Sequence, residues 1–246
     1  MGSVIVITSG KGGTGKTSLT GGVGASLALL GKQVLCLDGD VGLRNLDITL
    51  GMTDAALMDF SDVMAGRCDL SRAAVPHPTV SGLHLLTAPL TLPGDFPGEA
   101  GFQALLQQAR EAYDYVLIDS PAGLGPGFRL AVCGADRAIV VAVSDPSSLR
   151  DAQRVVTQLS QLETIHLVVN RVRPRLLRRQ NTTIDDAMDT AGLPLLGLVP
   201  EDPKVVLAAT EGRPLAQLGA RRGAVRAYEN IARRLTGQPV ALMGLR

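Results

Sequence analysis

Residues 4–18 read V-I-V-I-T-S-G-K-G-G-T-G-K-T-S. Four β-branched residues in succession make a strand that is apolar on both faces, as a buried parallel strand must be. The glycines after it let the chain turn sharply and leave backbone N–H groups free to point inward. Gly10-Lys11-Gly12-Gly13-Thr14-Gly15-Lys16-Thr17 fits G-x-x-x-x-G-K-[ST], a loop that cradles phosphates between a strand and a helix. In that setting Lys16 reaches the β- and γ-phosphates and the Thr17 hydroxyl ligates Mg²⁺. The start of a helix at Lys16, Thr17 and Ser18 adds favourable partial charge. Such a loop needs one lysine, and this one carries a second, Lys11.

The pattern outside the loop repeats its logic. Apolar strand candidates lie at Val4–Thr8, Gln33–Asp38, Leu83–Leu86, Tyr115–Asp119, Ala138–Val143, Ile165–Asn170 and Leu195–Val199. Amphipathic segments, Lys16–Leu30, Phe102–Ala112 and Pro146–Leu162 among them, separate most of these strands. Asp145-Pro146 supplies a helix N-cap and a first-turn proline, Thr183 to Asp186 resembles a capping box, and Gly31 and Gly192 stand where helices should stop. Strands alternating with helices imply right-handed crossovers. The expected fold is α/β, a three-layer α/β/α P-loop NTPase around a central, mostly parallel sheet. Pro89–Glu99 is loop-like but too short to divide domains, so one domain is expected over residues 1–246.

Composition agrees and narrows the function. Of 246 residues, 46% are hydrophobic and 19% charged, which excludes a disordered chain. Only 3% are aromatic and Trp is absent, so Val, Leu, Ile and Ala must build the core. A net charge of +1 gives no global attraction to nucleic acid or acidic lipid. Cys36, Cys68 and Cys133 form no C-x-x-C pair and are expected to be buried free thiols in a reducing cytoplasm. No uninterrupted apolar stretch approaches the ~20 residues of a membrane span. Lys11 and the glycine turn break up the N-terminal apolar run, so no signal peptide is expected.

K-G-G-T-G-K-T resembles the deviant Walker A signature of the MinD/ParA class of P-loop ATPases. Leu37 to Asp47, L-D-G-D-V-G-L-R-N-L-D, is similar to the first switch segment of that class, and I-D-S-P-A-G at 118–123 to its Walker B and second switch. G-A-D-R-A-I-V-V at 134–141, N-R-V-R-P at 170–174 and V-P-E-D at 199–202 are further matches. The likeness runs to about residue 242, and R-N-L-D favours the MinD branch. The resemblance implies ATP and Mg²⁺ as cofactors, slow hydrolysis to ADP and phosphate, and a homodimer formed on ATP. Lys11 would then cross the dimer seam to the partner's phosphates, supplying charge as an arginine finger does. It implies that Asp40 places the attacking water, with Lys11 and Lys16 absorbing charge. Asn170, Pro200, Glu201 and Asp202 would border adenine. Asp119, at the end of an apolar strand, is placed to hold Mg²⁺ through water. Asp38 competes with Asp40 and supports the metal shell or a switch hydrogen bond.

The same resemblance implies a role in placing the division septum, with a division-inhibitor protein and an ATPase-stimulating protein as partners. Helix Pro146–Leu162, with Ser148, Arg150, Asp151 and Arg154, resembles the surface where they dock. The location it implies is cytoplasmic and peripheral at the inner face of the cell membrane. The tail departs from the pattern: Gly237, Pro239 and Gly244 discourage the amphipathic helix expected there, so Thr236–Arg246 should not hold a membrane alone. Arg171, Arg173, Arg175, Arg178 and Arg179 keep a DNA-partitioning ParA-type ATPase as an alternative. No aromatics interleave them, so DNA is not the expected partner. A flagellar-placement ATPase differs in partners more than in chemistry and stays open.

Overall fold

The V-I-V-I run lies inside strand β1 (Ser3–Thr8), whose residues 4–8 are all buried, at the centre of an eight-stranded sheet. The computed structural model describes residues 1–180, 183–218 and 222–244. The other strands are β2 (Val34–Asp38), β3 (Val75–Pro76), β4 (Leu83–Leu86), β5 (Tyr115–Asp119), β6 (Arg137–Val143), β7 (Thr164–Val172) and β8 (Leu195–Pro200). Helices α1 (Lys16–Leu29), α2 (Leu46–Leu50), α3 (Phe60–Met64), α4 (Leu70–Ala73), α5 (Gly98–Ala112) and α6 (Pro126–Val132) precede β6. Helices α7 (Pro146–Thr157), α8 (Pro174–Gln180), α9 (Ile184–Ala191), α10 (Pro203–Thr210) and α11 (Gly223–Leu235) follow.

The sheet order is β3-β4-β2-β5-β1-β6-β7-β8, and every neighbouring pair is parallel except β3 with β4. Successive residues of a strand face opposite sides, so the two faces bury separate cores. Val4, Val6, Leu35, Leu37, Val116 and Ile118 meet α3, α5 and α6 on one side. Ile5, Ile7, Val34, Cys36 and Leu117 meet α1 and α11 on the other. This is the expected α/β/α sandwich. Parallel strands share their C-terminal edge, so Thr8, Asp38, Asp119 and Asn170 come together along one rim of the sheet.

All seven expected strands form, with ends within two residues of those read from the sequence. The segment Pro146–Leu162 is helical only to Thr157. Residues 158–162 tighten into i→i+3 turns that tuck Leu159 into the core and return the chain to β7. Gly192 closes α9 at φ 68°, and Thr183 and Asp186 form the reciprocal capping box. Cys36 is buried, whereas Cys68 and Cys133 are only half-buried, because each lies near a helix end rather than on a strand. Among the described residues no helix is long and apolar enough to cross a membrane. The tail runs without helix through Gly244, with Arg234 Nε and Nη2 donating to the Val240 carbonyl at 3.0 and 2.8 Å. Residues 245 and 246 lie outside the described residues.

Candidate nucleotide site

Between β1 and α1 the loop turns on two left-handed glycines, Gly13 at φ 76° and Gly15 at φ 89°. Gly15 is the N-cap of α1, so the free N–H groups of the first helical turn open into the loop. Lys16 is nearly buried, and its Nζ donates to the Ser9 hydroxyl at 3.1 Å. Burial lowers the Lys16 pKa, while the charges of Asp119 and Asp40 pull it back up. A cavity of ≈ 730 Å³ opens in front of the loop, a size that suits a nucleotide-sized ligand. Gly13, Gly15, Lys16, Thr17 and Ser18 line it from the loop. Asn170, Pro200, Glu201 and Asp202 line it from the ends of β7 and β8.

The rest of the sequence-derived site is distributed around this cavity. Gly12, Thr14 and Lys11 line a neighbouring cavity of ≈ 350 Å³. Gly10 packs against α7, where an added Cβ would lie 2.5 Å from the Cβ of Asp151. Asp40 lines a third cavity, of ≈ 420 Å³, with Pro121 of the I-D-S-P-A-G run and Phe128 of α6.

Three carboxylates gather at the rim. Burial pushes Asp119 up to about 7, opposed by the nearby Thr17 hydroxyl, with Asp38 and Asp40 raising it further and Lys16 lowering it, and the Thr20 hydroxyl donates to Asp119 Oδ1 at 3.4 Å. Asp38 is raised by burial, although the N–H groups of Asp40 and Leu46 donate to its two oxygens at 2.9 and 3.1 Å. Both Asp38 oxygens are thereby committed to closing the loop that carries Asp40. Asp40 is also raised by burial, and Lys16 lowers it. Three carboxylates against one lysine leave a deficit of positive charge, and Thr17 and Asp119 offer hard oxygen donors. These residues fit Mg²⁺. Among the described residues no three His, Cys, Asp or Glu side chains form a ready-made cage.

Lys11 is turned away from its own nucleotide cavity. Its Nζ reaches Asp145 at 3.2 and 3.1 Å and the Ser147 hydroxyl at 3.0 Å. Asp145 also accepts from the Ser148 N–H, capping α7, so the helix that packs on Gly10 carries the holder of Lys11. Sequence reading identifies Asp145 only as a cap, because nothing local signals a contact across 134 residues. On α7, Ser148 is buried with its hydroxyl accepting from Val143 N–H, so it is not on the docking surface expected for it. Arg150 and Arg154 are exposed.

At the end of β7, Asn170 Nδ2 donates to the Thr14 carbonyl at 2.7 Å and its Oδ1 accepts from Arg171 N–H. The arginine run splits: Arg171 and Arg173 share Glu201, while no described carboxylate pairs with Arg175, Arg178 or Arg179.

Residues 5–215 match the model of the CobQ/CobB/MinD/ParA nucleotide binding domain. Septum site-determining protein MinD of Bacillus subtilis is 41% identical over 250 residues, covering 100% of this chain and 93% of that protein. The chain belongs to the MinD branch of this family. Among solved structures, the MinC:MinD cell division protein complex of Aquifex aeolicus matches with a TM-score of 0.91 at 37% identity over 98% of both chains. MinD complexed with Mg-ADP from Pyrococcus horikoshii matches at 0.83 and 29% identity over 96% of each. MinD sequences therefore resemble this chain through the whole sheet and not merely through the loop. Tyr228, which α11 brings into the lining of the nucleotide cavity, is the aromatic residue that sequence reading missed.

Proposed function

We propose that this chain is an ATP-hydrolysing, MinD-type switch in division-site placement, in which ATP and Mg²⁺ bring two copies face to face. Full-length likeness to septum site-determining MinD proteins supports the cellular role. The Mg-ADP complex of the Pyrococcus relative supports the cofactors.

The residues divide the work. Backbone N–H groups of Gly13, Gly15 and the first turn of α1 hold the phosphates, with Lys16 bridging the β- and γ-phosphates from its buried seat beside Ser9. When bound, Mg²⁺ neutralises phosphate charge and orients the terminal phosphate. Thr17 and, through water, Asp119 are the residues that would hold it. Asp40 positions the attacking water, on a loop that Asp38 keeps closed. Pro200, Glu201 and Asp202 frame the base, with Asn170 at the border between base and loop.

The observation that carries the dimer is the position of Lys11. It lines a cavity beside the nucleotide cavity rather than the nucleotide cavity itself. An ammonium held outside its own site is available to a second copy's γ-phosphate. Hydrolysis then removes the shared charge and separates the copies. A division inhibitor is the partner this reading calls for, since the Aquifex relative is solved as a MinC:MinD complex. A stimulator of hydrolysis is the second, acting in the cytoplasm at the inner face of the membrane.

Lys11→Ala tests the sandwich. It should bind ATP as the parent does and give no ATP-dependent dimer in light scattering. Unchanged dimers would sink the model.

A further inference from the structure

Two consecutive peptide units of the phosphate loop are held by one end of one strand. Arg171 Nη1 donates to the Gly13 carbonyl at 3.3 Å, and Asn170 Nδ2 to the Thr14 carbonyl at 2.7 Å. No peptide bond in the described chain is cis. In a trans peptide the C=O and N–H of one unit point opposite ways. Holding the Gly13 carbonyl on Arg171 therefore aims the Thr14 N–H away from that residue, and holding the Thr14 carbonyl on Asn170 does the same for the Gly15 N–H. We infer that Asn170 and Arg171 are positioning residues that set the direction of the Thr14 and Gly15 N–H groups toward the phosphates, independently of the base.

Several features of the chain serve this contact. Arg171 has φ 52°, a left-handed conformation costly for a residue with a side chain. The pairing of β7 with β8 shifts register between Val169 and Val172, which frees this residue from the ladder. In that conformation the Arg171 N–H turns back onto Asn170 Oδ1 at 2.9 Å, which fixes the amide so that its NH₂ faces Thr14. Asn170 is buried, so its amide needs these partners. The approach is close enough that a Cβ on Gly15 would sit 2.3 Å from Asn170 Nδ2. Glu201, just past the end of β8, lies 3.6 Å from the Arg171 guanidinium and steadies it.

The inference rests on the nucleotide reading above and is tested with a ligand that has no base. Binding of ATP and of inorganic tripolyphosphate, both with Mg²⁺, is measured by calorimetry on the parent chain, Asn170→Ala, Arg171→Lys and Arg171→Gly. Asn170→Ala should weaken both ligands by the same factor, roughly tenfold for one lost, buried hydrogen bond. Arg171→Lys keeps a donor and should hold most of the affinity. Arg171→Gly removes the guanidinium and the backbone strain together, so it should melt no lower than the parent and still lose affinity for both ligands. Loss of ATP affinity with tripolyphosphate unchanged in Asn170→Ala would make Asn170 a base reader and overturn the inference. Parent-like binding of both ligands by Arg171→Gly would overturn the part assigned to Arg171. A parent chain that bound neither would overturn the nucleotide reading and this inference with it.

Discussion

Asp145→Asn should tighten the ATP-dependent dimer. In the single chain Lys11 is held by Asp145 and Ser147, and the sandwich requires it to leave them. The side chains of Lys11 and Asp145 are 34% and 45% exposed, so water screens the pair and it contributes about 0.2–1 kcal/mol. Two copies must each release one such contact, which makes the opposing term about 0.4–2 kcal/mol per dimer. Removing it lowers the dimer dissociation constant by a factor of roughly 2 to 30. Asn is chosen because it still caps α7 through the Ser148 N–H, leaving the helix on Gly10 undisturbed. Partial burial pushes the Asp145 carboxyl up, but Ser147, the Ser148 N–H and Lys11 together bring it below the usual range. A depressed carboxyl keeps its pairing above the ordinary aspartate pKa and loses it only as pH falls through the lower folded value. The latch is thus intact throughout the neutral range, and the parent and variant should differ there. Sedimentation velocity with a non-hydrolysable ATP analogue gives the dissociation constant. An unchanged constant would refute the idea that the pair opposes association, and a weaker dimer would place Asp145 in the interface itself.

Three further outcomes follow from the same geometry. Asp40→Ala should leave ATP binding and dimers in place while slowing phosphate release at least about a hundredfold, the lower end for a lost water-orienting group, as a colorimetric phosphate assay would read. Gly51→Ala should destabilise the fold by about 2–5 kcal/mol in denaturant titration, because Gly51 has φ 67° and an added Cβ would lie 1.8 Å from the Gly212 carbonyl oxygen. A thiol reagent at neutral pH should modify Cys36 only on unfolding, since burial, with the charge of Asp119, drives that thiol far above the usual range. Native labelling of Cys36 at the rate of Cys133 would mean that the core beneath α1 opens.

The legible parts of this protein are those whose meaning is contiguous. Val4 to Ser18 carries a strand, a phosphate loop and a helix start in one stretch, and the apolar runs ending at Asp38, Asp119 and Asn170 place their last residues on one rim because parallel strands share an end. Short elements were not legible. Helices α2, α3 and α4 have four or five residues, too few to show a helical period, and β3 is a two-residue antiparallel edge ending in Pro76. Long-range pairings were not legible either. The Lys11–Asp145 pair, the Asn170 contact to Thr14 and the Arg171 contact to Gly13 span 134, 156 and 158 residues. Asn170 could be read as polar at a strand end, but only the bulge at Arg171 turns its amide onto the loop.

The two lysines of the loop, five residues apart, are set up for separate events. Lys16 sits on the helix, almost without solvent, with one hydroxyl partner and two carboxylates beyond it. Moving it would strand a buried charge, so it stays in place whether or not phosphate is present. Lys11 precedes the glycines and ends on a partly exposed carboxylate and an exposed hydroxyl, from which release costs little. Nucleotide affinity of the single chain should therefore depend on Lys16 and hardly on Lys11. Dimer affinity should depend on Lys11 through both copies at once, so any change in its release energy enters the dissociation constant squared. A loop with only Lys16 can bind and hydrolyse, but it has no mobile charge with which to report the bound phosphate to a second molecule. In this chain the spacing of Gly12 and Gly13 between the lysines gives that charge its reach: neither glycine would bring a Cβ within 4 Å of any neighbour. Open space around Gly12 leaves Lys11 room to move while Gly13, Gly15 and Lys16 remain fixed.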